Sequence, residues 1–209
     1  MAKAMDLPVD EGFIRSLSAG DIVLISGRVV TARDSAHRVL LELLSGKGDA
    51  QPLQILLPIL RGGAIYHCGP LAVREGSGWR ILSAGPTTSA RMEGYEAEVI
   101  RGFGIRAIIG KGGMGTRTKE ALCGFGAVYL SAVGGAGVVM AERIKGVEDV
   151  LFLEELGIPE AIWILEVEDF PAIVTMDSHG RDIHNDVLEK SGEVLSREIG
   201  ITLHGVIGG

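Results

Sequence analysis

Hydrophobic positions along the chain fall into two spacings. "DIVLISGRVVTA" (21–32) is dense in Val and Ile and predicts a strand. "SAHRVLLELLSG" (35–46) sets Val39, Leu40, Leu43 and Leu44 at helical spacing and closes on Gly46, a helix stop. "AIYHCG" (64–69) and "WRILSAG" (79–85) predict strands with the turn "REGSG" between them. After the Gly85-Pro86 turn, Thr87, Thr88 or Ser89 is available to cap a helix running from Arg91 to Arg101. "IRAIIG" (105–110) is a short β-rich run, "TKEALCGF" (118–125) a helix, and "AVYLSAV" (127–133) a continuous apolar strand of the kind buried on both faces. "GGAGVVMAERIKG" (134–146) predicts a glycine-rich turn and then a helix. "DVLFLEEL", "AIWILEVEDF" and "AIVTMDS" add strand-like material, and an amphipathic helix is expected from Asp186 to Gly200.

Between residues 80 and 145 the order is strand, helix, strand, helix, strand, helix. Such alternation implies an α/β fold with parallel strands under helices. The flanking stretches are richer in strand, and neither a linker nor a repeat interrupts the chain, so one domain over 1–209 is expected. At this length roughly 70% of the unfolded chain's surface becomes buried. A hydrophobic share of 46% and a charged share of 22% exclude the disordered class. The net charge of −7 carries no basic surplus, so nucleic acid is not an expected partner. No apolar run reaches the ~20 residues of a membrane span, and "MAKAMDLPVDEG" has no apolar core of a signal peptide. A cytoplasmic protein with Cys68 and Cys123 as buried free thiols is expected. Two cysteines outside any CxxC pair give neither a zinc site nor the four thiolates of a cubane cluster, so no metal ligands are assigned.

Polar groups follow three strand ends, where open α/β sheets bind ligands: "TARDSAH" (31–37), "GPTTSAR" (85–91) and "GKGGMGT" (110–116). The last is not a phosphate loop, because Gly112 stands where Ser or Thr must follow Lys111. "GGAG" (134–137) fails as a dinucleotide motif, with Met140 in the third glycine position. What the three loops share is a cation: Arg33, Arg91 and Lys111. As isolated residues they are solvated surface charges. Brought together, two guanidinium forks, one point charge and the N–H groups of a helix start suit a small di-anion. Thr87, Thr88 and Ser89 read either as helix caps or as a source of one catalytic hydroxyl. Threonine is a weak base unless a neighbour favours its alkoxide. "DSHGRDIHND", with His179 and His184, has no common metal spacing and reads as a polar surface loop.

Taken together, "TARDSAH", "GPTTSARM", "IGKGGMG", "AVYLSAVGGAG" and "VEDFPAIVTMDSHG" resemble the C-terminal domain, or separate β subunit, of class I fumarases and the related L-tartrate dehydratases. The resemblance implies a swivelling β/β/α-type domain with a mixed, partly parallel sheet. It implies a hydro-lyase acting on a dicarboxylate, fumarate to L-malate or L-tartrate to oxaloacetate, and an oligomer. The family's [4Fe–4S] cluster, with its open Lewis-acidic iron, is expected on a partner α subunit and not on this chain. By the same resemblance Thr87 matches the proposed base, Arg33, Arg91 and Lys111 match the substrate-carboxylate ligands, and Asp34, His37 and Gly112 support them. A non-catalytic subunit that binds a small anion is the alternative from another class.

Overall fold

A computed structural model describes residues 1–199. Its strands are β1 (Lys3–Asp6), β2 (Ile22–Thr31), β3 (Ala64–Tyr66), β4 (Leu71–Glu75), β5 (Gly78–Ser83), β6 (Ala107–Gly110), β7 (Val128–Ser131), β8 (Ile144–Leu151) and β9 (Ile162–Met176). Its α-helices are α1 (Glu11–Arg15), α2 (Asp34–Leu44), α3 (Gln51–Leu60), α4 (Glu93–Phe103), α5 (Thr116–Phe125), α6 (Gly137–Ala141), α7 (Leu153–Leu156) and α8 (Ile183–Ile199), with a 3₁₀ turn over Ser89–Met92 leading into α4.

Parallel pairing joins β2 to β3, β3 to β6 and β6 to β7. β9 then pairs antiparallel with β7 and also with β2, which closes a five-stranded ring. β1 adds to the outer side of β2 and β8 to β9. The sheet is therefore mixed and partly parallel, as the resemblance implied, and it is closed as well.

Alternation along the short parallel strands explains why they are apolar throughout. Ala64, Tyr66, Ala107, Ile109, Val128 and Leu130 pack in one core with Trp163, Leu165 and Phe170 of β9. Their neighbours Ile65, Ile108 and Tyr129 belong to a second core with Leu40, Leu60, Ile100, Phe103 and Leu122 of α2 to α5. Helices thus cover one side of the parallel strands. The β4–β5 hairpin joins the first core, with Trp79 edge-on to Trp163 at a centroid distance of 5.1 Å.

Several elements depart from the sequence pattern. α3 and β4 stand where no element was expected: "QPLQILLPIL" carries Pro52 in its first turn and Pro58 near its end, two residues that argue against a helix, yet it buries Leu56, Ile59 and Leu60 on one face. The predicted helix over 134–146 is only the short α6, since β8 starts at Ile144. The last strand-like segments form one 15-residue strand through Pro171, at which Asp169 adopts a positive φ of 49°. α8 matches the expected terminal helix but leaves Val187, Leu188, Val194 and Leu195 exposed, and Gly200 lies outside the described residues. The segment after β9 is not a polar surface loop. Asp177, Ser178 and Asp182 are buried, and Asp177 accepts hydrogen bonds from the backbone N–H groups of Ala19, His179 and Arg181.

Candidate active site at the strand ends

The C-terminal ends of β2, β3 and β6 lie side by side, so the loops that leave them converge. Arg33 follows β2 at the N-cap position of α2. Its guanidinium passes over Gly69, where a β-carbon would fall 2.7 Å from Nη1. Nη1 donates to the Pro159 carbonyl at 3.4 Å, and Nε lies 3.3 Å from a Glu160 carboxylate oxygen. That ion pair is poorly aligned: Arg33 Nε is buried without a hydrogen-bond partner among the described residues.

The loop after β5 returns to the end of β3. Pro86 bridges to Cys68, and the Thr87 N–H donates to the His67 carbonyl at 2.7 Å. Thr88 bridges in parallel to Lys111, and the Ser89 N–H donates to the Lys111 carbonyl at 2.9 Å. Two N–H groups expected to be open for an anion are therefore committed to the backbone. The capping expectation also fails, because no side chain caps the 3₁₀ turn or α4. Thr88 is exposed, and the Ser89 hydroxyl turns into the interior. The Thr87 hydroxyl instead accepts from Arg91 Nη2 at 3.4 Å, and the same Nη2 donates to Asp34 at 2.7 Å. Thr87, Arg91 and Asp34 thus form one contiguous group.

Lys111 leaves β6 exposed, and its ammonium has no carboxylate partner among the described residues. Gly112 and Gly113 take φ values of 87° and 77°, a left-handed conformation that side chains disfavour. The loop is tethered at both ends. Lys111 N–H donates to Ser89 Oγ at 3.1 Å, while Glu93 accepts from the Gly115 and Thr118 N–H groups at the start of α5.

Beneath these loops lies a buried polar network. Glu96 Oε2 is 3.0 Å from His37 Nε2 and 2.8 Å from His67 Nε2. His37 Nδ1 meets the Arg33 carbonyl at 2.8 Å, and His67 Nδ1 meets Ser89 Oγ at 2.8 Å. Tyr129 donates to the same Ser89 oxygen at 2.8 Å. Burial alone would raise the Glu96 pKa, but His37 and His67 reverse this and hold it at about 2. Burial likewise opposes protonation of both imidazoles. Glu96 overcomes it at His37, whose pKa is raised, and not at His67, whose pKa is lowered. The ligand-type atoms of His37, His67 and Glu96 lie within 4.8 Å of one another, and direct hydrogen bonds account for that convergence.

Of the residues singled out in the sequence, Thr87, Arg91 and Asp34 are in contact, and Lys111 and Gly112 adjoin them through the Thr88 bridge. Arg33 reaches the region through Gly69 and is engaged by Glu160. His37 is not beside Arg33's side chain but under its carbonyl. The sequence reading passed over His67, Glu96 and Tyr129. One signal was available: Met92, Glu96, Val99, Ile100 and Phe103 share a helical stripe, and Glu96 is the charged member of a buried face. Cys68 is buried as expected, whereas Cys123 is only partly so, and both are free thiols.

Comparison with known proteins covers the stretch that carries these residues. The family model described as "Fumarase C-terminus" matches residues 3–187. A protein of Geobacillus stearothermophilus, provisionally named class I fumarate hydratase, is 46% identical over 194 residues, covering 92% of this chain but 35% of its own length. A protein of Methanocaldococcus jannaschii, provisionally named L(+)-tartrate dehydratase subunit beta, is 43% identical over 189 residues, covering 90% of this chain and 94% of its own. The L(+)-tartrate dehydratase subunit beta of Escherichia coli strain K12 is 36% identical over 184 residues, covering 88% and 87%. The chain thus spans about a third of the first relative and nearly all of the other two. By the family model over residues 3–187 and by relatives 36–46% identical over most of its length, the chain belongs to the fumarase C-terminus family.

Proposed function

We propose that this chain is the β subunit of a two-part hydro-lyase that reversibly hydrates fumarate to L-malate, active only with an α subunit. The observation that carries the reading is the contact between the Thr87 hydroxyl and the Arg91 guanidinium, one backbone bridge from the exposed Lys111. L-Tartrate dehydration to oxaloacetate is the second reading, favoured by the 43% and 36% identity to proteins named, the first provisionally, L(+)-tartrate dehydratase subunit beta. A cytoplasmic location and an oligomer belong to the same proposal, and the free thiols support the first.

In the dehydrating direction a C–H proton leaves the carbon next to one carboxylate, hydroxide leaves the neighbouring carbon, and a double bond forms between them. Charge builds on that carboxylate as the proton departs. Arg33, Arg91 and Lys111 are the residues of this chain that bind it, each charge-assisted contact contributing about 1.5–3 kcal/mol. The Thr87 oxygen takes the proton. Arg91 beside it favours the alkoxide, while Asp34 draws on the same nitrogen and fixes the direction of the guanidinium.

The family's cluster does not fit this chain's residues. Cys68 and Cys123 are its two thiols against the four that a cubane takes, and burial pushes the Cys68 thiol up to about 12, away from the thiolate. The cluster is placed on the α subunit in this reading, and no step above runs through it.

Anaerobic co-expression with the α subunit, followed by assays on fumarate, L-malate and L-tartrate, tests the assignment; turnover of none of them sinks it. Thr87→Ala in that complex is expected to lower kcat by about 10²–10⁴, as loss of a general base does. The exposed Thr88, which caps nothing, serves as the control, and Thr88→Ala is expected to leave kcat unchanged. Exchange of the L-malate C3 proton with deuterated solvent at the wild-type rate in Thr87→Ala would remove Thr87 from the proton step.

A further inference from the structure

We propose that Glu96 is a positioning residue whose carboxylate sets the direction of every hydrogen bond in the network that joins the three cation-bearing loops. The inference rests on the proposed function only for its kinetic consequence; the network itself is a matter of donors and acceptors.

The count runs from both ends. The Arg33 carbonyl can only accept, so His37 Nδ1 must carry a hydrogen. A carboxylate can only accept, so His37 Nε2 must carry one too. His37 is therefore an imidazolium, and Glu96 is its counter-charge. At the other end Ser89 Oγ accepts from Tyr129 O–H and from the Lys111 N–H, which leaves its own hydrogen to donate to His67 Nδ1. His67 is then neutral with its hydrogen on Nε2, pointing at Glu96. Every donor meets an acceptor, and both halves of the network require two acceptor sites on Glu96 Oε2. The second oxygen, Oε1, is buried and has no partner among the described residues, so Oε2 alone carries this constraint.

A neutral amide of the same shape cannot replace the carboxylate. With the carbonyl of a glutamine in the Oε2 position, His37 keeps a charge that has lost its counter-ion, or it loses a proton and turns a lone pair on a carbonyl oxygen. With the NH₂ group there, both imidazoles must accept, and His67 must donate to Ser89. Ser89 Oγ then faces three donors, and one hydroxyl hydrogen has no acceptor left in the network. The first orientation disturbs the Arg33 loop, the second the Ser89–Lys111 contact. Either displaces a cation-bearing loop, so the effect of Glu96 is exerted through Arg33, Thr87 and Lys111 without touching substrate.

The test uses the full chain and the assembled enzyme. Two-dimensional NMR of ¹⁵N-labelled imidazoles in the wild-type chain is expected to show both nitrogens of His37 protonated near neutral pH and His67 as the Nε2–H tautomer. A neutral His37, a protonated His67, or a metal ion bound by the two imidazoles in the purified chain overturns the proposal, whether or not any variant folds. Glu96→Gln is expected to give a neutral His37 or a reversed His67 tautomer, and to move the Lys111 backbone amide signal. In the assembled enzyme kcat/KM should fall by about 10²-fold well below the melting temperature, the size expected for a misplacement of about 1 Å at a site. A Glu96→Gln enzyme with wild-type kcat/KM and unchanged imidazole signals overturns the positioning role. If the wild-type complex turns over no dicarboxylate, it is the proposed function that fails, and the imidazole states still decide the network.

Discussion

Gly110 shows how little room the site leaves at the level of single residues. A β-carbon there would fall within the envelope of Ser89 Oγ and 2.9 Å from the Tyr129 hydroxyl. Ser89 cannot rotate away without leaving its three partners. Gly110→Ala is therefore expected to cost about 1–3 kcal/mol, the range for overpacking a filled interior. It should also alter the Lys111 amide environment. Equal urea midpoints for the two proteins would show that the contact relaxes freely. In the sequence Gly110 reads as the end of a strand and the first residue of a glycine-rich loop, and its close contact with Ser89 does not show, because close approach is a property of three segments meeting. Lys111 beside it stands out in the sequence, since a cation among glycines is visible without any fold.

Elements make that network a link between layers. Glu96 is on α4, His37 on α2, and His67 directly follows β3. The charged pair gives the link a pH dependence whose sign is fixed by the Glu96 carboxyl. Held at about 2 when folded and near its ordinary 4.5 when unfolded, it contributes stability above 4.5 that is lost as pH falls toward 2. Urea midpoints of the wild type are expected to fall over that interval, and Glu96→Gln should show a flatter curve; parallel curves would mean that the buried pair does not couple to folding. The strands and helices around the site were legible in the sequence, since β2, α2, β6, α5 and β7 each carry a run at one clear spacing and turn residues at their ends. α3 and β4 were not, because one carries two prolines, which argue against a helix, and the other is a short edge of a hairpin. Of the candidate site, the three cations were legible and their buried support was not. Histidine, serine and tyrosine acquire a role only when a partner distant in sequence is brought within hydrogen-bond reach.

At the scale of the whole molecule the chain holds cations and a hydroxyl but lacks the donors for an iron–sulfur centre. Purified anaerobically without the α subunit, it is expected to fold, to show no iron–sulfur absorbance and to hydrate no fumarate. Stoichiometric iron and sulfide in that preparation, or turnover by the chain alone, would overturn the proposed division of labour between subunits. Closure of the ring also has a consequence for how the chain reaches this state. β9 joins β2, a strand some 140 residues earlier, and also β7, so neither pairing exists until residues 162–176 have been synthesised. During synthesis the hydrogen-bonding flank of β2 stands open for most of the chain's length and that of β7 until β9 follows, and open strand edges are templates for association with other chains. The last long strand therefore completes the barrel and ends the interval in which the nascent chain is most exposed to aggregation.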